Sequence, residues 1–197
     1  KGEHIMVKIP VNYDGELWYQ CSAHPDMKFQ LTISTFVGCT KDLRICPDGK
    51  AYGRDAENDC KFPICGFDKE KFLDDYTNWK SKNITNYKFD FRWSMYALDE
   101  VNATVTIHVE NEKIVKIQRK SMNGVLTDIT EDTKIKYYSI SGLYDYILKE
   151  AEEYPFVLDV KINDEYIPMG CHIDRDPAIA DEEVSFIISN FDQILTI

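Results

Sequence analysis

Apolar and polar residues alternate along much of this chain, and in two stretches the apolar spacing changes to three and four. Ile5, Val7, Ile9 and Val11 lie on one side of residues 4–11. That period of two predicts a strand, and Pro10 places it at a sheet edge, because proline has no N–H for a ladder. Asn12-Tyr13-Asp14-Gly15 supplies a turn. Residues 16–22 and 27–37 predict a strand pair turning around Pro25-Asp26, with Phe29, Leu31, Ile33 and Thr35 on one face. The strictest alternation runs through residues 86–96, where Tyr87, Phe89, Phe91, Trp93 and Met95 oppose Lys88, Asp90, Arg92 and Ser94. Residues 101–110 and 113–120 predict a hairpin about Asn111-Glu112, and residues 121–136 a polar loop. Strands follow at 156–162 and 165–174 about Asn163-Asp164, and at 183–190 with Val184, Phe186 and Ile188 on one face.

The helical spacing occurs at residues 68–80, where Phe72, Tyr76 and Trp79 fall at i, i+4 and i+7 behind the N-cap candidate Asp68. It recurs at 139–153 with Ile140, Leu143, Tyr144, Ile147, Leu148 and Ala151 on one face. Asp176-Pro177 could start one further helical turn. From residue 68 the order is therefore helix and three strands, twice. Short connections imply antiparallel pairing with both helices on one face of the sheet, an α+β fold.

The stretch between these patterns, residues 39–65, has few large aliphatic side chains but four of the six cysteines. Such a segment buries too little apolar surface to offset its ordering entropy, so disulfides are the expected remedy. The expected organisation is a β-rich N-terminal module (1–66) that ends in this disulfide-rich element, then an α+β domain (67–197). Cys39-x6-Cys46 and Cys60-x4-Cys65 lack zinc-knuckle spacing, and no C-x-x-C pair occurs. If these four pair among themselves, Cys21 and Cys171 remain, either bridging the flanks or leaving Cys171 free or intermolecular. Disulfides imply an oxidising compartment. With Lys1 at the start of the sequence, we expect a mature secreted or cell-surface protein whose export signal has been removed.

A net charge of −11 argues against nucleic acid, which requires clustered Lys and Arg, and against anionic membrane surfaces. No apolar run approaches the roughly 20 residues of a membrane span. Asp174, Asp176 and Asp181, with Glu182 and Glu183, are candidate calcium ligands, and Asp55, Asn58 and Asp59 a weaker set. EF-hand spacing is absent, and no other cofactor is expected. Asn83-Ile84-Thr85 and Asn102-Ala103-Thr104 are N-glycosylation sequons. His4 and His24 have no motif around them, and His108 sits on the polar face of its strand. His172 follows Cys171, but neighbours on a strand point to opposite faces and cannot form a dyad. No G-x-S-x-G, H-E-x-x-H or phosphate loop occurs. A non-catalytic protein is expected.

Residues 78–190 resemble a family of small secreted and lipoprotein-type domains of uncharacterised function. The resemblance is carried by the Trp79 region ahead of the Tyr87-to-Trp93 strand, by Ser141-Gly142-Leu143-Tyr144-Asp145, and by Ile173-Asp174 before an acidic segment. Cys46-Pro47-Asp48-Gly49, Gly53-Arg54 and Cys60-Lys61-Phe62 ahead of Cys65 resemble a four-cysteine motif of exported proteins. Asp48-Gly49-Lys50-Ala51-Tyr52 and Asn58-Asp59-Cys60 also resemble Kazal-type protease inhibitors, though with a longer gap to Cys60 and four cysteines in place of six. We therefore expect an exported structural or interaction protein. It would be a cell-surface or extracellular filament subunit joined through Ile5, Val7, Ile9 and Val11, with itself or another extracellular protein as partner. The alternative is a soluble binding or inhibitor-like module.

Overall fold

The structure, a computed structural model, describes residues 17–20, 28–31, 39–96, 102–121, 123, 125–129, 136–179 and 181–194. The strand expected at residues 5–11 lies outside them. Contacts divide the chain into two compact units, Lys1–Gly38 and Cys39–Ile197. In the first unit, β1 (Leu17–Gln20) and β2 (Lys28–Leu31) pair antiparallel, with Leu17 opposite Leu31.

The second unit opens with a small hairpin of β3 (Leu43–Ile45) and β4 (Ala51–Gly53). Then come α1 (Lys69–Ser81), β5 (Tyr87–Met95), β6 (Val105–Glu110), β7 (Lys113–Lys120) and the short β8 (Leu126–Asp128). The second run is α2 (Ile140–Glu152), β9 (Val157–Ile162), β10 (Pro168–Asp174) and β11 (Val184–Gln193). Seven of these strands form one antiparallel sheet, in the order β8-β7-β6-β5-β11-β10-β9. Both α+β runs thus contribute neighbouring strands, and the seam between them is β5 against β11.

Most helix and strand boundaries fall within a residue or two of the periodic pattern, but β6 starts at Val105 rather than 101, after a turn at 102–103, and β10 at Pro168 rather than 165, after the turn at 164–165. There are three further departures. β8 is an extra strand inside the expected polar loop. It pairs Leu126 with Lys120 and Asp128 with Gln118, although all three of its residues are exposed. β11 continues to Gln193 because Asn190, at φ 51°, forms a bulge after which Asp192 and Gln193 resume pairing with β5. Residues 176–179 form a turn rather than a helix, with Asp176 Oδ1 accepting from Ala178 N at 2.9 Å. The turn at Asn111-Glu112 has both residues at positive φ (50° and 62°), the geometry of a two-residue hairpin loop.

The inward row of β5 decides the core. Tyr87, Phe89, Phe91 and Trp93 are buried with Val105, Ile107 and Val109 of β6 and Phe186 and Ile188 of β11. The helices add Phe72, Trp79, Ile140, Leu143, Tyr144 and Ile147 to the same cluster. On the other face of β5, Asp90 is also buried. Its carboxylate accepts from Thr106 Oγ1 at 2.6 Å and from Asn190 Nδ2 at 2.8 Å, so the bulged residue satisfies a buried charge.

Trp79 links the layers. Its ring meets Tyr87 and Phe191 edge-on, with centroids 5.8 and 6.0 Å away, and its Nε1 donates to Ser141 Oγ at 3.3 Å. Tyr87 Oη in turn accepts from Ile140 N at 3.0 Å, and Ser139 Oγ from Gly142 N at 3.1 Å. The first turn of α2 is therefore capped partly by its own serine and partly by a strand tyrosine. Trp79→Ala should lower unfolding free energy by about 3–5 kcal/mol in a urea titration. A change below about 1 kcal/mol would mean that the helices do not depend on this contact.

Candidate functional site

Residues 39–65 form an interlaced cystine element. Cys39 pairs with Cys60 and Cys46 with Cys65, at sequence separations of 21 and 19. The hairpin turn inside it is Pro47-Asp48-Gly49, with Gly49 at φ 81° and its N–H donating to Cys46 O at 2.8 Å. Arg54 holds one side of the element by a fork to Asp42: Nε to Oδ1 at 2.9 Å and Nη2 to Oδ2 at 2.7 Å. That pairing, with the Thr40 hydroxyl bond, holds the Asp42 carboxyl well below the usual carboxylate range. Arg54 and Arg44 both stack on Phe62, at 4.2 and 4.8 Å from its centroid. These contacts partly cover the aromatic ring of a segment that has little aliphatic core. Leu43 and Ile45 point the other way and are 65% and 68% exposed.

Composition draws a boundary near residue 66, whereas the contacts place this element in one unit with the α+β sheet. The join is made by backbone. Cys65 N donates to Phe156 O at 3.1 Å and Leu158 N to Cys65 O at 2.9 Å, a parallel pairing on the outer edge of β9. The Cys46–Cys65 cystine packs on Val157, flanked by Tyr52 and Phe156. Tyr154 Oη donates to Asn58 Oδ1 at 2.7 Å, and Lys61 Nζ lies 3.8 Å from the Tyr154 ring centroid. Gly66, at φ 82°, then turns the chain away towards α1. A Cβ there would lie 3.3 Å from Leu158 O, so both the conformation and the close approach favour glycine.

Past that turn the edge of β9 has no further neighbour strand among the described residues. Leu158 directs its N–H away from β10, so by strand alternation Val160 and Ile162 do the same. Their backbone groups meet no partner on that side among the described residues. They border a groove of about 350 Å³, lined on its other side by Gly66, Phe67, Asp68, Lys71, Phe72 and Asp75.

The remaining sequence candidates are dispersed. Cys171, for which both a bridge and a free state were open, is a free buried thiol facing the helices, and burial pushes its pKa up. Cys21 lies outside the described residues, as do His4, His24 and Ile5, Val7, Ile9 and Val11. Asn83 is exposed at the end of α1 with φ 52°. Asn102 instead clamps Met95, its Nδ2 donating to Met95 O and its Oδ1 accepting from Met95 N, both at 3.1 Å. Of the acidic run, Asp176 caps Ala178, and Glu182 Oε1 accepts from Asp176 N. Arg175 reaches Glu150 at 2.6 Å. Asp181 sits at φ 78°. Asp55 and Asn58 spend side-chain oxygens on Glu57 N and Tyr154 Oη. No group of three His, Cys, Asp or Glu side chains is placed to hold a metal among the described residues. No helix among them is long and apolar enough to cross a membrane.

His108 Nε2 contacts Gln118 Oε1 at 3.2 Å, and Gln118 Nε2 donates to Asp128, a polar network across three strands. One pair escaped the sequence. His172 Nδ1 lies 2.9 Å from Ser185 Oγ, and Asp159 stands opposite His172 on β9. These residues line a shallow hollow of about 380 Å³ over Gly170. Only strand register brings them together, so nothing in the local sequence marks Ser185. The pair is exposed to water, where it is worth no more than a surface hydrogen bond.

Residues 71–193 match a family model described as Family of unknown function (DUF6174). The match runs from the first turns of α1 to the end of β11 and leaves out the cystine element. No curated protein and no solved structure matches the chain.

Two predictions follow from this geometry. Removing either cystine (Cys39→Ala with Cys60→Ala, or Cys46→Ala with Cys65→Ala) should cost about 3 kcal/mol in chemical denaturation. Loss of the second pair should also loosen Tyr154 and Phe156, read by amide exchange; equal effects of both pairs there would count against the latch on β9. Burial, with Glu183 and Glu182 nearby, raises the Asp174 pKa, and its Oδ1 is buried without a donor among the described residues. A raised native pKa means that the stabilising contribution holds below the unfolded pKa and fades as pH rises through the native one. Asp174→Asn should therefore unfold at higher urea than the parent at pH 7, with the gap closing in acid. A variant that is less stable at pH 7 would assign that carboxylate a favourable partner.

Proposed function

We propose that this chain, which belongs to the family of unknown function DUF6174, is an exported, non-catalytic structural or interaction protein. In this reading it self-associates at a cell surface or in an extracellular polymer through the strand-forming segment of residues 5–11. The observation that carries it is the cystine element's latch on β9. Two cystines brace a segment with little core, which suits an oxidising compartment, and the pairing they hold in place leaves the rest of the β9 edge without a partner among the described residues. A sheet edge without a partner strand among the described residues is the kind of surface used for strand addition. The acidic surface fits a soluble extracellular protein and suits basic partners or a candidate calcium ion better than polyanions.

A second reading is a soluble extracellular binding or inhibitor-like module. Leu43 and Ile45 favour it, since two exposed aliphatics on a rigid cystine hairpin form a compact contact point.

Light scattering and electron microscopy of the native, non-reduced protein separate the two. Self-association should give oligomers or filaments with the full chain, and deletion of residues 1–11 should return a folded monomer. A polymer that survives the deletion would rule out the N-terminal strand as the joint. A full-length chain that stays monomeric would transfer support to the binding module, where Leu43→Asp should weaken partner capture.

A further inference from the structure

Export would carry the chain past the machinery that adds sugars to asparagine, and the inference here rests on that part of the proposed function. We infer that Asn83 carries an N-linked glycan whose first sugar lies in the hollow between the end of α1, the Asn111-Glu112 turn and the start of α2, and that Asn102 carries none.

The two sequons present their acceptor nitrogens differently. Asn102 spends its amide on Met95, Oδ1 accepting from Met95 N and Nδ2 donating to Met95 O, both at 3.1 Å. Both amide atoms meet the backbone of one residue, so the Nδ2 hydrogen in use is the one on the oxygen's side of the amide. A secondary amide prefers the trans form, which puts a new substituent on that same side. A sugar on Asn102 would therefore replace the hydrogen that holds Met95 O, on a side chain that is already half-buried. Asn83 is exposed, and no hydrogen bond engages its side-chain amide among the described residues. It follows the C-cap Lys82 at φ 52°, a geometry that asparagine tolerates, and so Asn83-Ile84-Thr85 lies outside both helix and strand.

The sequon itself lines the hollow, which measures about 470 Å³ and is completed by Lys80, Glu112, Ser141 and Asp145. A pyranose needs polar partners for its hydroxyl and acetamide groups and apolar contact for its ring C–H faces. Ile84, packed against the core, supplies apolar wall. Ser141 Oγ accepts from Trp79 Nε1 at 3.3 Å and Asp145 Oδ1 from Tyr76 Oη at 3.0 Å, and each oxygen keeps a lone pair for a sugar hydroxyl. Glu112 N donates to Thr85 O at 3.1 Å, so the hairpin turn and the sequon form one rim. The donor is an oligosaccharide joined through a diphosphate to a polyisoprenoid lipid. Asn83 Nδ2 bonds the anomeric carbon of the first sugar as the bond from that carbon to the diphosphate oxygen breaks. The lipid diphosphate leaves with the electron pair, and one Nδ2 proton passes to solvent.

Intact mass of the full chain recovered from the secretory pathway of a eukaryotic host, before and after treatment with peptide N-glycosidase, reads the attachment. One glycan is expected, and its removal should leave an acid in place of the amide at residue 83. Asn83→Gln and Thr85→Val should each abolish it. Thr104→Val, which disables the second sequon and keeps the Met95 clamp, should leave it unchanged. Nuclear Overhauser contacts from the acetamide methyl of the first sugar should reach Ile84 or Ser141. A glycan on Asn102 would overturn the inference, as would a chain that forms both cystines and carries no glycan, and the exported reading would survive either result. A sugar on Asn83 without contacts to the hollow would overturn its seat. Reduced Cys39, Cys46, Cys60 and Cys65 in protein from its native source would instead fail the exported reading, and the inference with it.

Discussion

The seam between β5 and β11 is the constraint on which the rest of the α+β unit depends. Each α+β run builds one side of the sheet, and neither side is closed without the other. The pairing sets Phe186 opposite Trp93 and Ile188 opposite Phe91, so one register aligns the aromatic row of the first half with the aliphatic row of the second. A slip of one residue would turn the slipped strand's row to solvent and leave the other without its partner. The fixed points are chemical. Asp90 cannot be buried without Thr106 and Asn190, and Asn190 can reach it because the bulge bends the end of β11. The same irregularity carries Phe191 to the ring stack of Trp79 and Tyr87.

From that seam the molecule has two different kinds of periphery. At one end β8 stops the sheet with a short, wholly exposed strand. At the other, β9 is half covered by a segment that could not fold by burial alone. The cystine element is locally rigid through covalent bonds and the Arg54–Asp42 fork, and it gains its place through two backbone hydrogen bonds to β9. Rigidity and attachment thus come from different physics. Covalent closure restricts the unfolded chain, and sheet pairing fixes the folded position. The family match begins at α1 and ends with β11, so this edge attachment is built outside the segment that identifies the family.

Polar chemistry on the sheet's outer face is spread rather than concentrated. His108 is tied to Gln118 and Asp128, His172 to Ser185, the Asp176 and Glu182 carboxylates cap backbone N–H groups, and Arg175 pairs with Glu150 of α2. Asp174 is the exception, a partly desolvated carboxylate beside two like charges. That arrangement costs stability near neutrality, and His172 and the Asp176 backbone N–H offset it only in part.

Period and turn chemistry were enough to locate most of this unit. Asp68 and Ser139 mark the helix starts because a short oxygen side chain is the local requirement of an N-cap, and the Tyr87-to-Trp93 alternation defines its strand because the pleat itself has period two. The cysteine-rich composition likewise announced covalent bracing. Which cysteines pair, and that Cys171 does not, depended on distances between residues about 20 apart in sequence, which no local pattern encodes. β8 was invisible for a related reason, since an all-exposed strand carries no alternation and exists only because β7 offers an edge. The His172–Ser185 contact and the stretch of β9 without a neighbour among the described residues belong to the same class. Both are products of strand order and register, quantities set by the packing of the whole core rather than by any residue's neighbours in the chain.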